Sequence, residues 1–554
     1  METFNMKRYE EQFLYLMKEF NDAETFEQQH DWFKKINNHR FHYESARNES
    51  MIKYFGDFEN NTYKEINTFF REVEGDYLSL VDRYYTSILR ASFRQGFESI
   101  YGKHLFTLAD MKKKTYRESV KEDIQRESDL ITEYQEIVGN AMVEFNQNKI
   151  KLTSLSKYLT SPNRSIRKKA YTSKYQFYKQ HEGDFDRILD KLIKVRQSIA
   201  SKLGYSNFVQ LGFDRMNRSH TSSDLKEYRK QVKHHGVPFV RILRKKQKER
   251  LGINELKYYD ERVFDKYESV LLNDTKENLL ENFQTMFTEL CPETASFYKG
   301  LDLKKNLDLE YRSNKMGRAF ATFIHPNISP YMFLTLRGVP NDVRLFAHES
   351  GHAFQFYMTR KWNIPEYVVP YDSAELFSFA MEHLTYPWMH LFFGEDTFNY
   401  QITHLTESFS YMPLSSAIDE FEHFLYEHPN VSNETRKSKW RDIERTFLPD
   451  RNFDGNEFLE SGNSFYEIGH LFTTPFYFMD YDLAHFSAVQ LWMKHQDDPS
   501  KSIESFLSMC RSGGSLPFHK LIQGADLTSP FEENSLQPLL ARVQNYMDQS
   551  EVTK

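Results

Sequence analysis

The sequence predicts a mainly α-helical fold with one small β element, and three observations support this prediction. Gly and Pro, which interrupt helices, account for only 21 and 17 of the 554 residues, whereas average proteins contain about 7% Gly and 5% Pro. Apolar and aromatic residues recur three or four positions apart among charged residues, which is the period of an amphipathic helix. Only residues 311–340 are instead rich in Phe, Thr and Ile, with turn residues between them.

Long amphipathic helices are predicted for roughly the first 235 residues. The stretches FREVEGDYLSLVDRYYTSILRASF and DLITEYQEIVGNAMVEF both carry the helical period, and we interpret this part as an antiparallel helical array. The turn residues Ser-Pro-Asn at positions 161–163 interrupt the pattern. We therefore predict a boundary near residue 165, which separates an N-terminal helical lobe, residues 1–165, from a second region, residues 166–554.

Two short runs predict a hairpin or a pair of adjacent strands. They are RAFATFI, residues 318–324, and YMFLTLR, residues 331–337, and the segment HPNISP, residues 325–330, supplies turn chemistry between them. An exposed strand edge holds an extended peptide through main-chain hydrogen bonds, without reading its sequence. We therefore expect a small sheet that is able to bind an extended chain.

Charge and cysteine content exclude several classes of function. Lys and Arg number 72 against 79 Asp and Glu, and the two signs are mixed along the chain, so no basic footprint for nucleic acid is present. The N-terminus METFNMKRYEEQF lacks the apolar core of a signal peptide, and no apolar run long enough to span a membrane occurs. With only Cys291 and Cys510, a disulfide framework is excluded. We therefore expect a cytoplasmic protein without nucleic-acid or membrane partners, in which any metal is held by His and carboxylate side chains.

The stretch LFAHESGHAFQF, residues 345–356, contains the metal-binding pattern HExxH. Residues four positions apart lie one turn apart on the same face of a helix, so His348 and His352 can direct both imidazoles to one ion. Glu349 then lies beside the pair. Either Asn341 or Asp342 is expected to cap this helix.

Gly351 lies inside the same predicted helix, where Gly costs about 1 kcal/mol relative to Ala. Two explanations suit this position. A metal site with substrate above it requires close approach to the helix backbone, and so does a neighbouring helix packed against it. The sequence leaves both explanations open.

A third metal ligand is expected further along the chain, because zinc in a hydrolase takes three protein ligands and keeps one position for water. The segment PEYVVPYDSAELFSFAMEHL, residues 365–384, offers Glu366, Asp372, Glu375 and Glu382. Glu375, in the first turn of a predicted helix, acts either as a metal ligand or, with Asp372, as a capping box. The upstream HExxH favours the ligand. Glu382 and Asp372 are predicted to support the ligands from behind, as carboxylates that orient metal-bound histidines do.

A later segment, FYEIGHLFTTPFYFMDYDLAHF, residues 465–486, adds candidate hydrogen-bond donors. Tyr477 and Tyr481 are four positions apart and share one face of a predicted helix, and His470 lies in the preceding turn. A Tyr hydroxyl or a His ring stabilises the oxyanion that forms when a carbonyl is attacked. In a chain so rich in aromatic residues, each of these side chains also has a purely structural explanation.

The ordered set of motifs resembles the M3 family of zinc metallopeptidases, in particular its oligoendopeptidase F and Pz-peptidase branch. The motifs are the β runs followed by LRGVPNDVRLFAHESGHAFQFY, then SAELFSFAME, then GHLF and FYFMDYDLA. The resemblance extends from about residue 160 to 545. It implies one zinc ion, held by His348, His352 and Glu375, with Glu349 as the general base.

The resemblance also assigns the remaining candidates. It implies that Glu382 is the glutamate that follows the third ligand on the same helix face. It further implies that His470, Tyr477 and Tyr481 donate hydrogen bonds to the substrate and the transition state. Which of the two tyrosines is the principal donor stays open.

The fold implied by the resemblance is an elongated, two-lobed helical ellipsoid with a deep central channel. The zinc lies on the channel floor, and the small sheet beside the HExxH helix forms part of the wall, as in other zincin-type enzymes. Residues 166–554 then form the peptidase catalytic region with the zinc site. A deep channel admits short unfolded peptides and excludes folded proteins.

The implied function is a zinc-dependent oligoendopeptidase, which hydrolyses internal peptide bonds with a water activated by zinc and Glu349. Two alternatives are kept. One is a helical HExxH metallocarboxypeptidase, which removes residues from the C-terminus of its substrate. The other is a non-catalytic helical binding protein in which HExxH arises by chance and Glu375 only caps a helix.

Overall fold

The computed structural model is built almost wholly from helices. It describes residues 4–264, 272, 275–302, 304–324, 329–369 and 372–552. The strands in this part of the chain form two small sheets, so the predicted mainly α-helical fold is confirmed. Among the same residues, none of the helices combines the length and the apolar character that crossing a membrane requires.

Seven helices form the N-terminal part. They are α1 (Met6–Asn21), α2 (Phe26–Gly56), α3 (Asn61–Glu72), α4 (Glu74–Leu89), α5 (Arg94–Tyr101), α6 (His104–Thr115) and α7 (Lys121–Gly139). The first six share a core of aromatic residues such as Phe13, Phe33 and Tyr84, each at most 1% exposed. At the start of α2, Thr25 and Gln28 form a capping box that satisfies free backbone N–H groups.

A β-hairpin replaces the helix that the sequence pattern predicts up to Phe145. Helix α7 ends at Gly139, and β1 (Met142–Phe145) pairs in antiparallel fashion with β2 (Asn148–Lys151). The two turn residues, Asn146 and Gln147, have φ angles of 49° and 65°, which is the backbone of a tight hairpin turn. The helical prediction was wrong here because Gln147 stands where Gly usually marks such a turn.

The helices between the hairpin and the larger sheet are α8 (Ser156–Leu159), α9 (Arg164–Gln180), α10 (Glu182–Leu203), α11 (Phe208–Arg215), α12 (Ser222–Gln231), α13 (Val237–Leu251), α14 (Lys276–Leu290) and α15 (Pro292–Gly300). A buried charge cluster joins three of the helices. Glu127 of α7 accepts from Arg196 of α10 at 2.7 Å and from Arg215 of α11 at 2.8 Å. Burial raises the pKa of Glu127, but Arg215 and Arg196 outweigh burial and lower that pKa to about 2.

The larger sheet has three strands, β3 (Leu307–Asp308), β4 (Phe320–Ile324) and β5 (Ser329–Phe333), in the order β3-β5-β4. Strands β4 and β5 are antiparallel, and β3 runs parallel to β5. The predicted pair of strands is therefore present. The second strand ends at Phe333 rather than at residue 337, because its partner β4 begins at Phe320, opposite Phe333. Positions 325–328 of the predicted turn HPNISP lie outside the described residues.

The C-terminal helices follow the larger sheet along the chain, and the first of them, α16, is the motif helix. They are α16 (Pro340–Thr359), α17 (Pro365–Val368), α18 (Ala374–Leu384), α19 (His390–Phe393), α20 (Thr397–Ser410), α21 (Met412–Glu427), α22 (Asn433–Phe447), α23 (Glu457–Glu460), α24 (Gly469–Thr473), α25 (Phe478–Asp497), α26 (Pro499–Ser512), α27 (Phe518–Gly524) and α28 (Leu536–Val552). Helix α16 packs on β4 and β5. The predicted position of the small sheet beside the HExxH helix is thus confirmed.

Helix α18 is the central element of the larger core. It packs against both α16 and α25, and its apolar residues Leu376, Phe377 and Met381 are fully buried. A helix that is apolar on several sides is one enclosed by other elements. Its few polar side chains therefore have to find partners inside the protein.

The division into residues 1–165 and 166–554 stays a prediction, which we keep as a proposal.

Candidate active site

The motif helix α16 begins at Pro340, two or three residues earlier than a cap at Asn341 or Asp342 requires. Pro340 is its first residue, which suits a position whose backbone N–H has no partner in a helix. The N-cap residue is Val339, so the prediction of Asn341 or Asp342 as the cap was wrong. Asp342 lies inside the first turn and reaches back, where its carboxylate accepts from the N–H groups of Gly338 at 2.7 Å and Val339 at 3.2 Å.

At Gly351, the backbone of α18 approaches α16 closely. A Cβ atom built on Gly351 would lie 2.4 Å from the carbonyl oxygen of Phe377 and 2.6 Å from Cα of Ser378. Of the two explanations for this glycine, the neighbouring helix is therefore the one that the structure supports. The close approach also carries Glu375 and Glu382 of α18 to the histidines of α16.

Three side chains from these two helices converge on one point. Nε2 of His348 lies 3.3 Å, and Nε2 of His352 lies 3.4 Å, from Oε2 of Glu375. One potential ligand atom from each residue lies within 4.8 Å of the others. Ser378, one turn along α18, donates to the same Glu375 oxygen at 3.0 Å and fixes its orientation.

The charges around this cluster favour a cation. Burial lowers the pKa of His348, but hydrogen bonds with Glu375 and Glu382 outweigh burial and hold that pKa well above its usual value. Burial raises the pKa of Glu375, but His352 and His348 hold it well below its usual value. The cluster therefore attracts positive charge. Two imidazoles and one carboxylate are also donors that zinc prefers, so these residues suit a zinc ion.

Glu349 lies beside the cluster without a partner for one of its oxygens. Its side chain is only 4% exposed, and Oε2 accepts no hydrogen bond from any residue that the structure describes. Burial raises the pKa of Glu349, although His348 and His352 oppose this effect. A buried carboxylate with a free oxygen and a raised pKa is suited to accept and return a proton.

A chain of polar side chains supports His348 from behind. Nδ1 of His348 lies 2.6 Å from Oε1 of Glu382, and the other oxygen of Glu382 lies 2.7 Å from Nε2 of His404 in α20. The hydroxyl of Tyr386 lies 2.7 Å from Nδ1 of His404. If Tyr386 donates to Nδ1, the ring proton of His404 faces Glu382. Glu382 in turn keeps Nδ1 of His348 engaged and directs Nε2 toward Glu375.

The predicted donors form the opposite side of the site. The ring of His470 stacks on Tyr477, with centroids 6.1 Å apart, and meets Tyr481 edge-on at 5.8 Å. The Tyr477 hydroxyl donates to Oε1 of Glu375 at 3.0 Å. The Tyr481 hydroxyl makes no hydrogen bond to any described residue. Burial raises the pKa of Tyr481 and lowers that of His470, which keeps the phenol protonated and the imidazole neutral.

Comparison with known families identifies the family of this chain. The model of Peptidase family M3 matches residues 157–539, and the Peptidase M3 N-terminal domain matches residues 1–116. The chain belongs to peptidase family M3. It is therefore a metalloendopeptidase, and the resemblance seen in the sequence is confirmed.

Relatives of this M3 peptidase cover most of its length. It is 25% identical over 423 residues to an oligoendopeptidase F homolog of Borreliella burgdorferi, a match that spans 72% of this chain and 69% of the relative. The solved structure of Pz peptidase A with an inhibitor matches it with a TM-score of 0.94 and 36% identity, over 99% of this chain and 98% of that one. The helical M3 fold predicted from the sequence is thus confirmed.

Two carboxylates that the sequence offered near this M3 site have other partners. Glu366 is paired with Arg40 of α2 and accepts from the hydroxyl of Tyr85. Asp372 accepts from the backbone N–H of Phe518 at 3.1 Å, and burial raises its pKa to about 7. The support of the metal ligands by Asp372 stays a prediction.

Sequence reasoning missed three residues that hold the site together. They are Ser378, Tyr386 and His404. Ser378 is three positions after Glu375, a helical spacing that points to contact. His404 and Tyr386 carry no comparable signal, because the packing of α20 against the region after α18 is what brings His404 to Glu382 and to Tyr386.

Proposed function

We propose that this M3 peptidase is a zinc-dependent oligoendopeptidase that hydrolyses internal bonds of short unfolded peptides. One observation supports this function most strongly: the ligand atoms of His348, His352 and Glu375 lie within 4.8 Å of one another. Beside them lies Oε2 of Glu349, which has no hydrogen-bond partner among the described residues. Three ligands of this kind leave a fourth position free on a single zinc ion, as catalytic zinc sites require. Bound zinc supplies Lewis acidity, which polarises a carbonyl and acidifies a water.

Glu349 is the proposed general base. Its free Oε2 takes the proton of the attacking water, and the same oxygen then gives the proton to the nitrogen of the departing amine. A carboxyl group performs both steps best when its pKa is raised toward neutrality, and burial acts in this direction on Glu349. Glu382 and His404 hold His348 in the orientation that offers Nε2.

Tyr481 is the proposed principal donor to the oxyanion. Its hydroxyl has no partner among the described residues and so is free to donate when negative charge develops. The Tyr477 hydroxyl is already directed at Glu375 at 3.0 Å and therefore acts chiefly by orienting that ligand. His470 contacts both rings and, as a neutral imidazole, supplies a further donor.

The proposed substrates and location follow from the family and the chain. Oligopeptides are the substrates that the names of the relatives indicate, and an extended peptide suits the strand edge beside α16. Cys291 and Cys510 are both free and buried, which agrees with a role in the reducing cytoplasm. We propose no nucleic-acid or membrane partner.

The test is digestion of a short peptide blocked at both ends, followed by mass spectrometry. We expect internal cleavage that stops when a chelator removes the metal and returns when zinc is added. The blocked C-terminus separates this function from a carboxypeptidase, which needs the free carboxylate. If the zinc-loaded protein leaves every blocked peptide intact but shortens free ones from the C-terminus, the endopeptidase proposal is wrong.

A further inference from the structure

A cavity of about 240 Å³ lies next to the donor side of the site. Gly469, His470 and Phe478 form one of its walls, so it opens beside the ring that stacks on Tyr477. It accommodates one end or one side chain of a peptide.

Positive charge is in excess around this cavity. Four of its lining residues are basic, namely Lys174, Arg244, Arg262 and Arg451, and two are acidic, namely Glu261 and Glu467. Both carboxylates are already paired. Lys174 and the hydroxyl of Tyr175 contact Glu467, and Arg451 pairs with Glu261 at 2.6 Å.

Two guanidinium groups make no close ion pair with a carboxylate of the described residues. Arg244 donates to the neutral oxygens of the Gln247 side chain and the Glu261 carbonyl, each at 2.7 Å. Arg262 forms no hydrogen bond and no ion pair with any described residue. Burial lowers the pKa of Arg244, and the nearby Glu261 opposes this effect only in part.

The guanidinium of Arg262 has N–H groups that no described residue engages. Its guanidinium lies close enough to Tyr411, Tyr171 and Glu467 for each of them to raise its pKa, with Tyr411 contributing most. Tyr411 also lines the cavity and is 37% exposed. A planar guanidinium with unused N–H groups binds a carboxylate through two parallel hydrogen bonds.

We propose that this cavity is a subsite for a carboxylate group of the bound peptide, recognised by Arg262 with Arg244 behind it. The assignment rests on the proposed peptidase function, because the cavity shares His470 with the proposed catalytic site. Two groups of a peptide carry this chemistry: the free C-terminus and the side chain of Asp or Glu. The substrate class is therefore peptides with an acidic group on the side of the cleaved bond that faces His470.

The test compares pairs of N-acetylated peptides that differ only in charge. One pair ends in a free carboxylate or an amide, and a second, amidated pair carries an internal Glu or Gln. Binding is measured by titration calorimetry to the zinc-loaded Glu349→Gln variant, in which the peptides stay intact. We expect the charged member of one pair to bind roughly 10- to 100-fold more tightly, as expected for a charge-assisted hydrogen bond.

Variants of Arg262 identify the group responsible. In the same background, Arg262→Gln removes the preference and Arg262→Lys retains part of it. Arg241→Gln is the matched control, because Arg241 lies on α13 with Arg244 but pairs with Asp450 on the surface at 2.7 Å, and it leaves the preference unchanged. The thermal transition of Arg262→Gln should stay close to that of its parent, since Arg262 is exposed and forms no hydrogen bond or ion pair with a described residue.

The possible results separate the two proposals. A preference that responds to amidation identifies the C-terminus as the ligand, and a preference for Glu over Gln identifies a side chain. Peptides that bind with no charge preference, or with a preference that survives in Arg262→Gln, overturn the subsite and leave the peptidase function intact. A protein that binds none of the peptides overturns both.

Discussion

The replacement Gly351→Ala tests how closely α16 and α18 must approach for the site to form. The new Cβ would lie 2.4 Å from the Phe377 carbonyl oxygen, whereas ordinary contact begins at 3.4 Å, so the helices must separate by about 1 Å. Overpacking of this kind costs about 1–3 kcal/mol, against a gain of about 1 kcal/mol in helix propensity. We expect a lower Tm.

The larger effect of Gly351→Ala is expected on catalysis. Glu375 moves with α18 while His348 and His352 stay on α16, and a misplacement of about 1 Å typically costs about 100-fold in rate. We therefore expect weaker zinc binding, measured by competition with a chelator, and a fall of roughly 100-fold in kcat/KM. Gly183→Ala is the control, because no atom lies within 4 Å of its Cβ position. If Gly351→Ala matches the parent in Tm, zinc affinity and kcat/KM, the helix contact does not position the ligands.

Four further substitutions have distinct signatures. Tyr481→Phe should lower kcat by roughly 100- to 1,000-fold, whereas Tyr477→Phe should chiefly weaken zinc binding, because its hydroxyl holds a ligand. His404→Gln should weaken zinc binding by roughly 10- to 100-fold and leave kcat at saturating zinc nearly unchanged. Glu127, whose pKa falls from 4.5 to about 2 on folding, contributes about 3 kcal/mol of stability above pH 4.5. That contribution is lost as pH falls from 4.5 toward 2, so Tm against pH should be flatter in Glu127→Gln across this window.

For each of these substitutions, one result would contradict the role that we assign to the residue. If Tyr477→Phe lowers kcat at saturating zinc while the kcat of Tyr481→Phe stays near that of the parent, Tyr477 is the principal oxyanion donor and the roles proposed for the two tyrosines are reversed. Unchanged zinc affinity in His404→Gln would show that Glu382 orients His348 without help. If Tm falls equally between pH 4.5 and 2 in Glu127→Gln and in its parent, a group other than Glu127 causes the loss of stability in acid.

Features governed by local periodicity were predicted well from the sequence. The spacing of His348 and His352 places both on one face of α16, and the structure has that helix. Glu375 and Glu382 are two turns apart on α18, and both face α16. Helical period and motif order suffice for these positions, because each depends on residues a few places away along the chain.

Features that depend on distant contacts were not predictable. The pairing of Glu382 with His404 arises from the packing of α20, and no residue spacing in the sequence indicates this contact. The role of Gly351 was left open because a close approach is visible only when the second helix is in place. Asp342 was expected to cap α16 from outside, yet it acts from the first turn, since Pro340 already occupies the helix start.

The most direct test of the account is zinc content measured beside peptide cleavage in two single variants. Glu349→Gln should keep one zinc per chain and lose roughly 100- to 10,000-fold in kcat, because the ligands stay and the base is removed. His348→Ala should lose both zinc and activity, because a ligand is removed. Cleavage by Glu349→Gln at a rate near that of the parent, or a full complement of zinc in His348→Ala, would contradict the account.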